Sequence, residues 1–334
     1  MKKMILATVA ALLLMTPAFA QKLTGAGATF PEPIYSKWFQ EYSAANNGVQ
    51  INYQSIGSGA GIRQLIAGTV DFGATDGPMT DDQIRQYKNG KVLHIPTVLG
   101  AVVPVYHIDG LKAELKFSPD VLAEIFLGSI TNWNDSRIAR DNPGVSLPNK
   151  DIFVFHRSDG SGTTFIFTDY LSKVSGEWRN RVGASQSPAW PKGIGGKGNP
   201  GVAGLVRQTD GAIGYVELIY ALGNGIPYGA VKNAAGVYVK ASIQGVSAAA
   251  ASAKIPADYR VSITNAPGKD SYPISSFTWL LIPQHSQDAS KGRVLKNFLT
   301  WMLDKGEAEA TSKAYAPLPA AVIARVRGTI ATIQ

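Results

Sequence analysis

The chain has no cysteine among its 334 residues. This absence excludes disulfide bonds, thiol nucleophiles, cysteine metal sites and a lipid attached through an N-terminal cysteine. Small exported domains often depend on disulfide bonds, but a chain of this length can bury enough apolar surface to be stable without them. The length also favours two domains over one.

Histidine is scarce as well, and the four histidines are scattered along the chain: His94, His107, His156 and His285. None has a partner at the spacing of metal ligands, so we expect no metal site. No serine lies in a G-x-S-x-G elbow, and the Gly-Ser-Gly contexts of Ser58 and Ser161 suit hydrogen bonding better than nucleophilic attack. The sequence therefore favours a binding function over an enzyme.

Long apolar runs are lacking except near the N-terminus. There, two lysines precede an apolar core at residues 4–15, and a small-x-small triplet follows at residues 18–20. This order is typical of a secretory signal peptide, and the core is shorter than the roughly 20 residues that span a bilayer. We therefore expect cleavage after Ala20 and an exported mature chain; a retained membrane anchor is the weaker interpretation.

The chain is basic, with 32 lysines and arginines against 24 acidic residues and a formal charge of +8. A basic protein can attract nucleic acid or an acidic surface. The basic residues are dispersed, however, without the basic helix and interleaved aromatic residues that bind nucleic acid, so we expect no nucleic-acid partner. The charge indicates a general attraction for anions or the cell envelope, or only a solvated surface.

Short strand-like runs alternate with segments of helical spacing. Val49, Ile51 and Tyr53 alternate as in a strand before the glycine-rich turn at residues 57–61. A helix is predicted after Pro31, with one apolar face formed by Ile34, Tyr35, Trp38, Phe39 and Tyr42. Further strands are predicted at residues 70–76, 98–106, 152–155, 212–216 and 277–282. This pattern predicts an α/β fold whose ligands bind at the carboxyl ends of the strands.

The most informative segment spans residues 157–164, which read Arg-Ser-Asp-Gly-Ser-Gly-Thr-Thr between two apolar runs. It predicts a strand, a glycine turn and the start of a helix. Backbone N–H groups, hydroxyls and a guanidinium would then meet at the positive end of a helix dipole, which suits a tetrahedral oxyanion. The alternative for Arg157 and Asp159 is an ordinary surface ion pair.

Other glycine-rich or polar segments have simpler interpretations. Asp76, Thr29 and Ser58 could each cap a helix or a turn, although helix N-termini that need capping are also anion sites. Residues 193–198 match G-x-G-x-x-G, but no predicted strand leads into them, so a dinucleotide site is not expected. We interpret them as a turn inside a long ordered loop at residues 188–201.

Five segments taken together resemble the periplasmic phosphate-binding proteins of high-affinity phosphate ABC transporters. They occur in the family's order, at residues 23–31, 56–59, 70–76, 159–163 and 211–217. The resemblance implies a two-lobed periplasmic binding fold of type II, each lobe a mixed, mostly parallel sheet flanked by helices, with the ligand in the cleft between the lobes. It implies lobe one at residues 21–98 with 271–334, and lobe two at residues 99–270.

The resemblance also implies the site and the partners. Phosphate ligands would come from both lobes: Thr29, the Phe30 N–H, Ser58 and Asp76 from lobe one, and Arg157, Ser161, the Gly162 N–H and Thr163 from lobe two. Asp159 would hold the Arg157 guanidinium in position. The implied protein is a periplasmic monomer without cofactor or metal, which delivers inorganic phosphate to the transmembrane permease subunits of the transporter.

Asp76 narrows the ligand within the oxyanions. An ionised carboxylate can only accept a hydrogen bond, and phosphate near neutral pH carries a proton to donate, whereas sulfate does not. Sulfate is therefore disfavoured, while arsenate stays open. A secreted phosphate-handling enzyme is the more distant alternative, because the sequence offers neither a nucleophile-base pair nor a metal set.

Overall fold

The computed structural model describes residues 21–334. The expected signal peptide and its cleavage site at Ala20 lie outside the described residues. Between residues 21 and 334, no helix combines the length and the apolar character needed to cross a bilayer.

The described residues alternate between strands and helices. The strands are β1 (Gln21–Gly27), β2 (Val49–Ser55), β3 (Phe72–Thr75), β4 (Val92–His107), β5 (Lys116–Phe117), β6 (Phe153–Arg157), β7 (Ile194–Gly196), β8 (Ala212–Glu217), β9 (Ala230–Lys232), β10 (Tyr238–Val239) and β11 (Ser275–Pro283). The helices are α1 (Glu32–Ala45), α2 (Ser58–Ile66), α3 (Asp81–Gln86), α4 (Pro119–Leu127), α5 (Ser136–Asp141), α6 (Gly162–Val174), α7 (Gly176–Arg181), α8 (Gly198–Gln208), α9 (Leu218–Asn224), α10 (Ile243–Ala251), α11 (Ala289–Asp304) and α12 (Ala320–Ala331), with a 3-10 helix at Gly306–Lys313.

Strand β4 joins the two halves of the main sheet, whose order is β2-β1-β3-β11-β4-β8-β6-β7. Its first part pairs with β11 up to Ala101, and its last part pairs with β8 from Val102 onward. We call β1, β2, β3, β11 and the first part of β4 the first half-sheet. The last part of β4, β8, β6 and β7 form the second half-sheet. A separate small sheet has the order β10-β9-β5.

The main sheet is mixed, as the sequence predicts. Strands β1, β2 and β3 pair in parallel, as do β6, β7 and β8, while β11 and β4 pair antiparallel with their neighbours. All nine residues of β11 and all but the last residue of β4 are buried. Continuous apolar runs rather than alternating ones mark such strands, because helices cover both faces of the sheet.

Helix α1 shows how local sequence builds the first half. Proline occupies its first turn, where a missing N–H does no harm, and the five apolar residues predicted for its inner face are all buried. Phe39 packs its ring 5.7 Å from that of Phe72 on β3 and 5.1 Å from that of Phe298 on α11. The helix is thereby fixed against the sheet directly after the loop that carries Thr29 and Phe30.

A segment without helix or strand, residues 254–264, contacts both halves of the molecule, and we call it the crossing segment. At one end, Arg325 of α12 donates to the Ile255 carbonyl (2.9 Å), and Arg260 pairs with Asp81 of α3 (2.7 Å). At the other, Lys173 of α6 donates to Ser262 (2.7 Å). The first part of the crossing segment therefore contacts α12 and α3, and its last part contacts α6.

Candidate functional site

The predicted site residues lie at the carboxyl ends of neighbouring strands. Thr29 and Phe30 follow β1, Ser58 follows β2, and Asp76 follows β3. The three strands are in register, since Gly27 lies opposite both Ser55 and Ala74. Gly27 permits this close packing, because an added Cβ there would lie 2.1 Å from the Ala74 carbonyl oxygen.

The second half-sheet brings a matching loop to the same place. Arg157 ends β6, and Gly162 and Thr163 begin α6, with Ser161 as its N-cap. An added Cβ on Gly162 would lie 2.6 Å from Asp76 atoms, so glycine is what allows the start of α6 to approach this carboxyl group. Helix N-termini present free backbone N–H groups, which suit an anion.

The two halves are in direct contact at the site. The Gly162 N–H donates to Ser58 Oγ (3.0 Å), and the Gly59 N–H donates to the Gly160 carbonyl (2.9 Å). Tyr220 of α9 donates its hydroxyl to the Thr29 carbonyl (2.5 Å). The predicted residues of both halves therefore form one cluster.

The cluster is buried although it is polar. The exposed fraction of its polar residues is 3% or less: Thr29, Ser58, Asp76, Arg157, Ser161 and Thr163. Phe30 is fully buried too, and its carbonyl accepts a hydrogen bond from Tyr315 (2.6 Å). Buried polar groups need hydrogen-bond partners, so a cluster of this size and composition is typical of a ligand site.

Arg157 is held rigidly by Asp159. Its Nε donates to Asp159 Oδ1 (2.8 Å) and its Nη2 to Oδ2 (2.5 Å), while Nη1 donates to Thr163 Oγ1 (3.3 Å). Burial alone would raise the pKa of Asp159, but the hydrogen bonds and charge of Arg157 hold it below its ordinary value. The bonds use three of the five guanidinium N–H groups, so the others can serve an anion.

Asp76 has an unusual environment for a carboxyl group. Burial raises its pKa to about 7, against the opposing effects of a hydrogen bond from Thr278 and the charge of Arg157. Thr278 Oγ1 donates to Asp76 Oδ1 (2.8 Å), and the Asp76 N–H donates to Ser58 Oγ (3.3 Å). Near neutral pH both forms of this carboxyl group are present. The ionised form can accept a hydrogen bond from a ligand, and the protonated form can donate one.

Ser161 caps the N-terminus of α6, a role that requires no ligand. Its Oγ accepts a hydrogen bond from the Thr164 N–H (3.0 Å), which satisfies one free donor of the first turn of α6. Its hydroxyl proton can still be donated, because a capping hydroxyl acts through its lone pair. The capping and ligand-binding interpretations are therefore compatible at this residue.

Sequence reasoning missed two residues of the cluster, Asn199 and Thr278. Asn199 is fully buried and donates from Nδ2 to Thr29 Oγ1 (2.8 Å) and Thr163 Oγ1 (3.1 Å). The prediction of one loop at residues 188–201 is wrong, because β7 pairs in parallel with β6 at Ile194–Gly196 and α8 begins at Gly198. Strand β7 reads Ile-Gly-Gly, so it has no apolar alternation from which a strand could be predicted.

A small cavity of about 210 Å³ opens beside the cluster and is lined by Thr29, Ser55, Ile56, Asp159, Lys197, Gly198 and Pro200. A larger cavity of about 470 Å³ is lined by other residues, among them His94, Tyr259 and Arg325, and by no residue of the cluster. Within residues 21–334 no three His, Asp or Glu side chains are grouped as metal ligands would be.

The site consists of hydroxyls, helix N-terminal amides and one guanidinium, and it lies between two half-sheets. These features define a class of protein: α/β binding proteins with an oxyanion site.

Comparison with known proteins gives the family. The model of the PBP superfamily domain matches residues 16–305. Phosphate-binding protein PstS of Haemophilus influenzae is 45% identical over 313 residues, which cover 93% of this chain and 92% of the relative. PstS of Xylella fastidiosa is 44% identical over 308 residues, covering 91% and 84%. The chain belongs to the PBP superfamily and, within it, to the family of phosphate-binding protein PstS.

Solved structures share the fold. A high affinity periplasmic phosphate-binding protein, determined with bound phosphate at pH 8.5, superposes with a TM-score of 0.73 at 24% identity. The match covers 92% of this chain and 93% of that one. The type II periplasmic binding fold predicted from the sequence is confirmed.

Proposed function

We propose that this protein binds inorganic phosphate and delivers it to a phosphate ABC importer. The observation that carries the proposal is the buried cluster, in which one guanidinium, several hydroxyls and two helix N-termini surround a single carboxyl group that titrates near neutral pH. The names of the relatives support phosphate as the ligand.

In the proposed complex both halves supply ligands. Thr29, the Phe30 N–H, Ser58 and Asp76 bind from the first half, and Arg157, Ser161, the Gly162 N–H and Thr163 bind from the second. A phosphate that loses its water regains hydrogen bonds from these groups, without which the desolvation cost would be prohibitive. Arg157 adds the charge-assisted contact, and Asp159 holds its guanidinium in position.

Asp76 is the proposed selector among oxyanions. As a carboxylate it accepts a hydrogen bond from the protonated oxygen of phosphate, whereas a fully ionised sulfate has no proton to donate and is repelled. A buried hydrogen bond around which a site is built can discriminate by about 10⁴-fold. Arsenate has the same shape and protonation as phosphate, so this residue offers no means of rejecting it.

The two half-sheets correspond to two proposed lobes. Lobe one comprises residues 21–98 and 271–334, and lobe two comprises residues 99–270. The chain would pass between the lobes twice, near Val98 and near Ser271. Phosphate that bridges both lobes would stabilise a closed form, which the permease subunits then recognise.

The proposal includes the cellular setting. The protein is a periplasmic monomer whose signal peptide is removed after Ala20, and it is not an enzyme. The family supports this last point, because the relatives are named phosphate-binding proteins.

Calorimetric titration with phosphate, sulfate and arsenate in turn tests the ligand. We expect tight binding of phosphate and, at pH 9, where Asp76 is almost fully ionised, at least about 100-fold weaker binding of sulfate. Absence of phosphate binding would overturn the proposed function. Turnover of a chromogenic phosphate ester by the pure protein would instead favour the enzyme alternative.

A further inference from the structure

Asn199, at the start of α8, lies between the two threonine hydroxyls of the site. We propose that Asn199 is a positioning residue that turns the hydroxyl protons of Thr29 and Thr163 toward the bound oxyanion. The inference rests on the proposed function, because it concerns the same site, and it adds a specificity role for a residue outside the proposed ligand set.

The contacts of Asn199 are unusually complete for a side chain without exposed surface. Its Nδ2 donates to Thr29 Oγ1 at 2.8 Å and to Thr163 Oγ1 at 3.1 Å, and its backbone N–H also donates to Thr29 Oγ1 at 3.1 Å. Thr29 belongs to the first half of the molecule and Thr163 to the second. One amide group therefore bridges the halves at the site.

The orientation of the amide is fixed by a third contact. The Glu217 N–H, at the end of β8, donates to Asn199 Oδ1 at 3.0 Å. A backbone N–H can only donate, so the amide oxygen must face β8 and the NH₂ group must face the threonines. A reversed amide would place two donors against each other, and this fixes the direction of both bonds to the threonines.

The bonds from Asn199 limit the hydrogen bonds that the hydroxyls of Thr29 and Thr163 can still make. A hydroxyl has one proton to donate and two lone pairs to accept with. Thr29 Oγ1 accepts from the N–H and the Nδ2 of Asn199, and Thr163 Oγ1 accepts from Asn199 Nδ2 and Arg157 Nη1. Each hydroxyl is then left with its proton alone, so it can only donate to a ligand.

Two hydroxyls that can only donate also constrain the ligand. Oxygen atoms of the oxyanion that face Thr29 and Thr163 must be unprotonated, because a protonated oxygen would offer its proton to a group with no free lone pair. The proton of the ligand is thereby directed to Asp76. Asn199 in this way supports the selection that Asp76 makes, although it need not touch the ligand.

The test compares Asn199→Asp with Asn199→Ala by phosphate calorimetry at pH 8.5 and pH 6. The Asp substitution keeps the shape and the acceptor for the Glu217 N–H, but its ionised carboxylate draws the threonine protons away from the ligand. We expect phosphate affinity to fall about 100-fold at pH 8.5 with Asp and about 10-fold with Ala, in line with the loss of hydrogen bonds to a charged ligand.

The pH comparison separates positioning from packing. The introduced carboxyl group can donate again once it is protonated, so the Asn199→Asp protein should recover affinity at pH 6 relative to the unmodified protein. The Asn199→Ala protein should show no such recovery. Asn142→Asp is the matched control, because Asn142 is also buried and donates from Nδ2 to the carbonyls of Lys116 and Ile138, which are not part of the site.

A double-mutant cycle covers the case in which the Asp variant does not fold. If Asn199 acts through Thr29, Asn199→Ala should cost clearly less affinity in a Thr29→Ala background than in the unmodified protein. Additive losses, or equal affinities of the Asp and Ala variants at both pH values, would overturn the inference. Failure of the unmodified protein to bind phosphate would instead overturn the proposed function itself.

Discussion

At the scale of single residues, Asp76 decides which oxyanion fits. Replacing it with Asn keeps the acceptor for Thr278 but presents an NH₂ group to the ligand, which a sulfate oxygen can accept. At pH 9, where Asp76 is almost fully ionised, we expect Asp76→Asn to raise the affinity for sulfate relative to phosphate by about 100-fold. Competition calorimetry measures this ratio, and unchanged relative affinities would count against the assignment.

Asp141→Asn is the matched control for that substitution. Asp141 is also a buried carboxyl group, and it accepts hydrogen bonds from the Ser118 N–H (2.6 Å) and the Tyr238 hydroxyl (2.8 Å) on the far side of the second half. We expect its loss to lower stability without changing the ratio of the two affinities.

The raised pKa of Asp76 predicts a pH dependence for sulfate. Burial raises this pKa to about 7, so the protonated carboxyl group, which can donate to sulfate, is the main form below pH 7. Sulfate affinity should therefore be level below about pH 7 and fall about tenfold for each pH unit above it. Titrations between pH 6 and 9 check this, and the dependence should vanish in Asp76→Asn.

Arg157 makes geometric demands that lysine cannot meet. Its planar guanidinium binds both oxygens of Asp159 and keeps further N–H groups for the ligand, whereas an ammonium group is a point charge. Arg157→Lys should weaken phosphate binding about 10- to 100-fold. Arg137→Lys is the control, because Arg137 binds both oxygens of Asp135 in the same two-residue spacing away from the site. Similar losses in both variants would argue against a ligand contact by Arg157.

At the scale of helices and strands, apolar periodicity and glycine turns were enough to predict most of the elements that position the site. Helix α1, strands β2, β3 and β8, and the turn from β6 into α6 are where the pattern indicates. The glycines at positions 59 and 61 were read as a turn, but α2 already begins at Ser58. Close packing explains why this helix contains glycine at position 61, because an added Cβ there would lie 2.4 Å from the Ala26 carbonyl oxygen.

The residues that sequence reasoning missed share one property. Asn199 and Thr278 come to the site through tertiary pairing. Asn199 is placed by the register of β7 with β6, and Thr278 lies in the middle of β11, which is buried along its whole length. Neither follows a predicted strand end, and neither has a neighbour in sequence that carries chemistry. Such contributions depend on which strands become neighbours, and periodicity carries no information on that.

The start of α6 yields a prediction at this scale. Gly162→Ala would place a Cβ 2.6 Å from Asp76 and push the helix N-terminus away from the first half-sheet. We expect a loss of phosphate affinity of about 100-fold or more, because the N–H donors no longer reach the ligand position. Calorimetry measures the loss, and thermal unfolding without phosphate reports any change of stability.

Gly204→Ala is the control within a helix. An added Cβ on Gly204 in α8 meets nothing within 4 Å. This substitution should stabilise the protein by about 0.5–1 kcal/mol and leave phosphate affinity unchanged. Equal affinities of the two glycine variants would contradict the close approach of α6 to Asp76.

At the scale of the whole molecule, the connections between the halves suit a hinge. Two main-sheet strands lie at the passage, β4 at Ala101–Val102 and β11 at its first residue, Ser275, and the Val102 N–H donates to the Ile274 carbonyl (2.9 Å). The crossing segment has no helix or strand, so it can follow a rotation of the halves with few backbone hydrogen bonds to break.

A hinge of this kind predicts compaction on binding. Because both halves contact the ligand only in the closed form, phosphate binds the closed form more tightly than the open form and raises its population. Phosphate should therefore lower the radius of gyration in small-angle scattering. Sulfate at the same concentration and pH 9, where Asp76 is almost fully ionised, should leave the scattering unchanged. Tyr220→Phe probes the contact between the halves separately, because the Tyr220 hydroxyl donates to the Thr29 carbonyl across the site (2.5 Å).

Removing this hydroxyl should lower phosphate affinity about 3- to 10-fold, mainly through faster dissociation, while saturating phosphate still compacts the protein. Tyr238→Phe is the control, since Tyr238 donates to Asp141 within the second half alone (2.8 Å). Identical scattering of the unmodified protein with and without phosphate would contradict lobe closure. Equal phosphate dissociation rates for Tyr220→Phe and Tyr238→Phe would contradict only the contribution of α9, because the hinge and the ligand contacts do not depend on that hydroxyl.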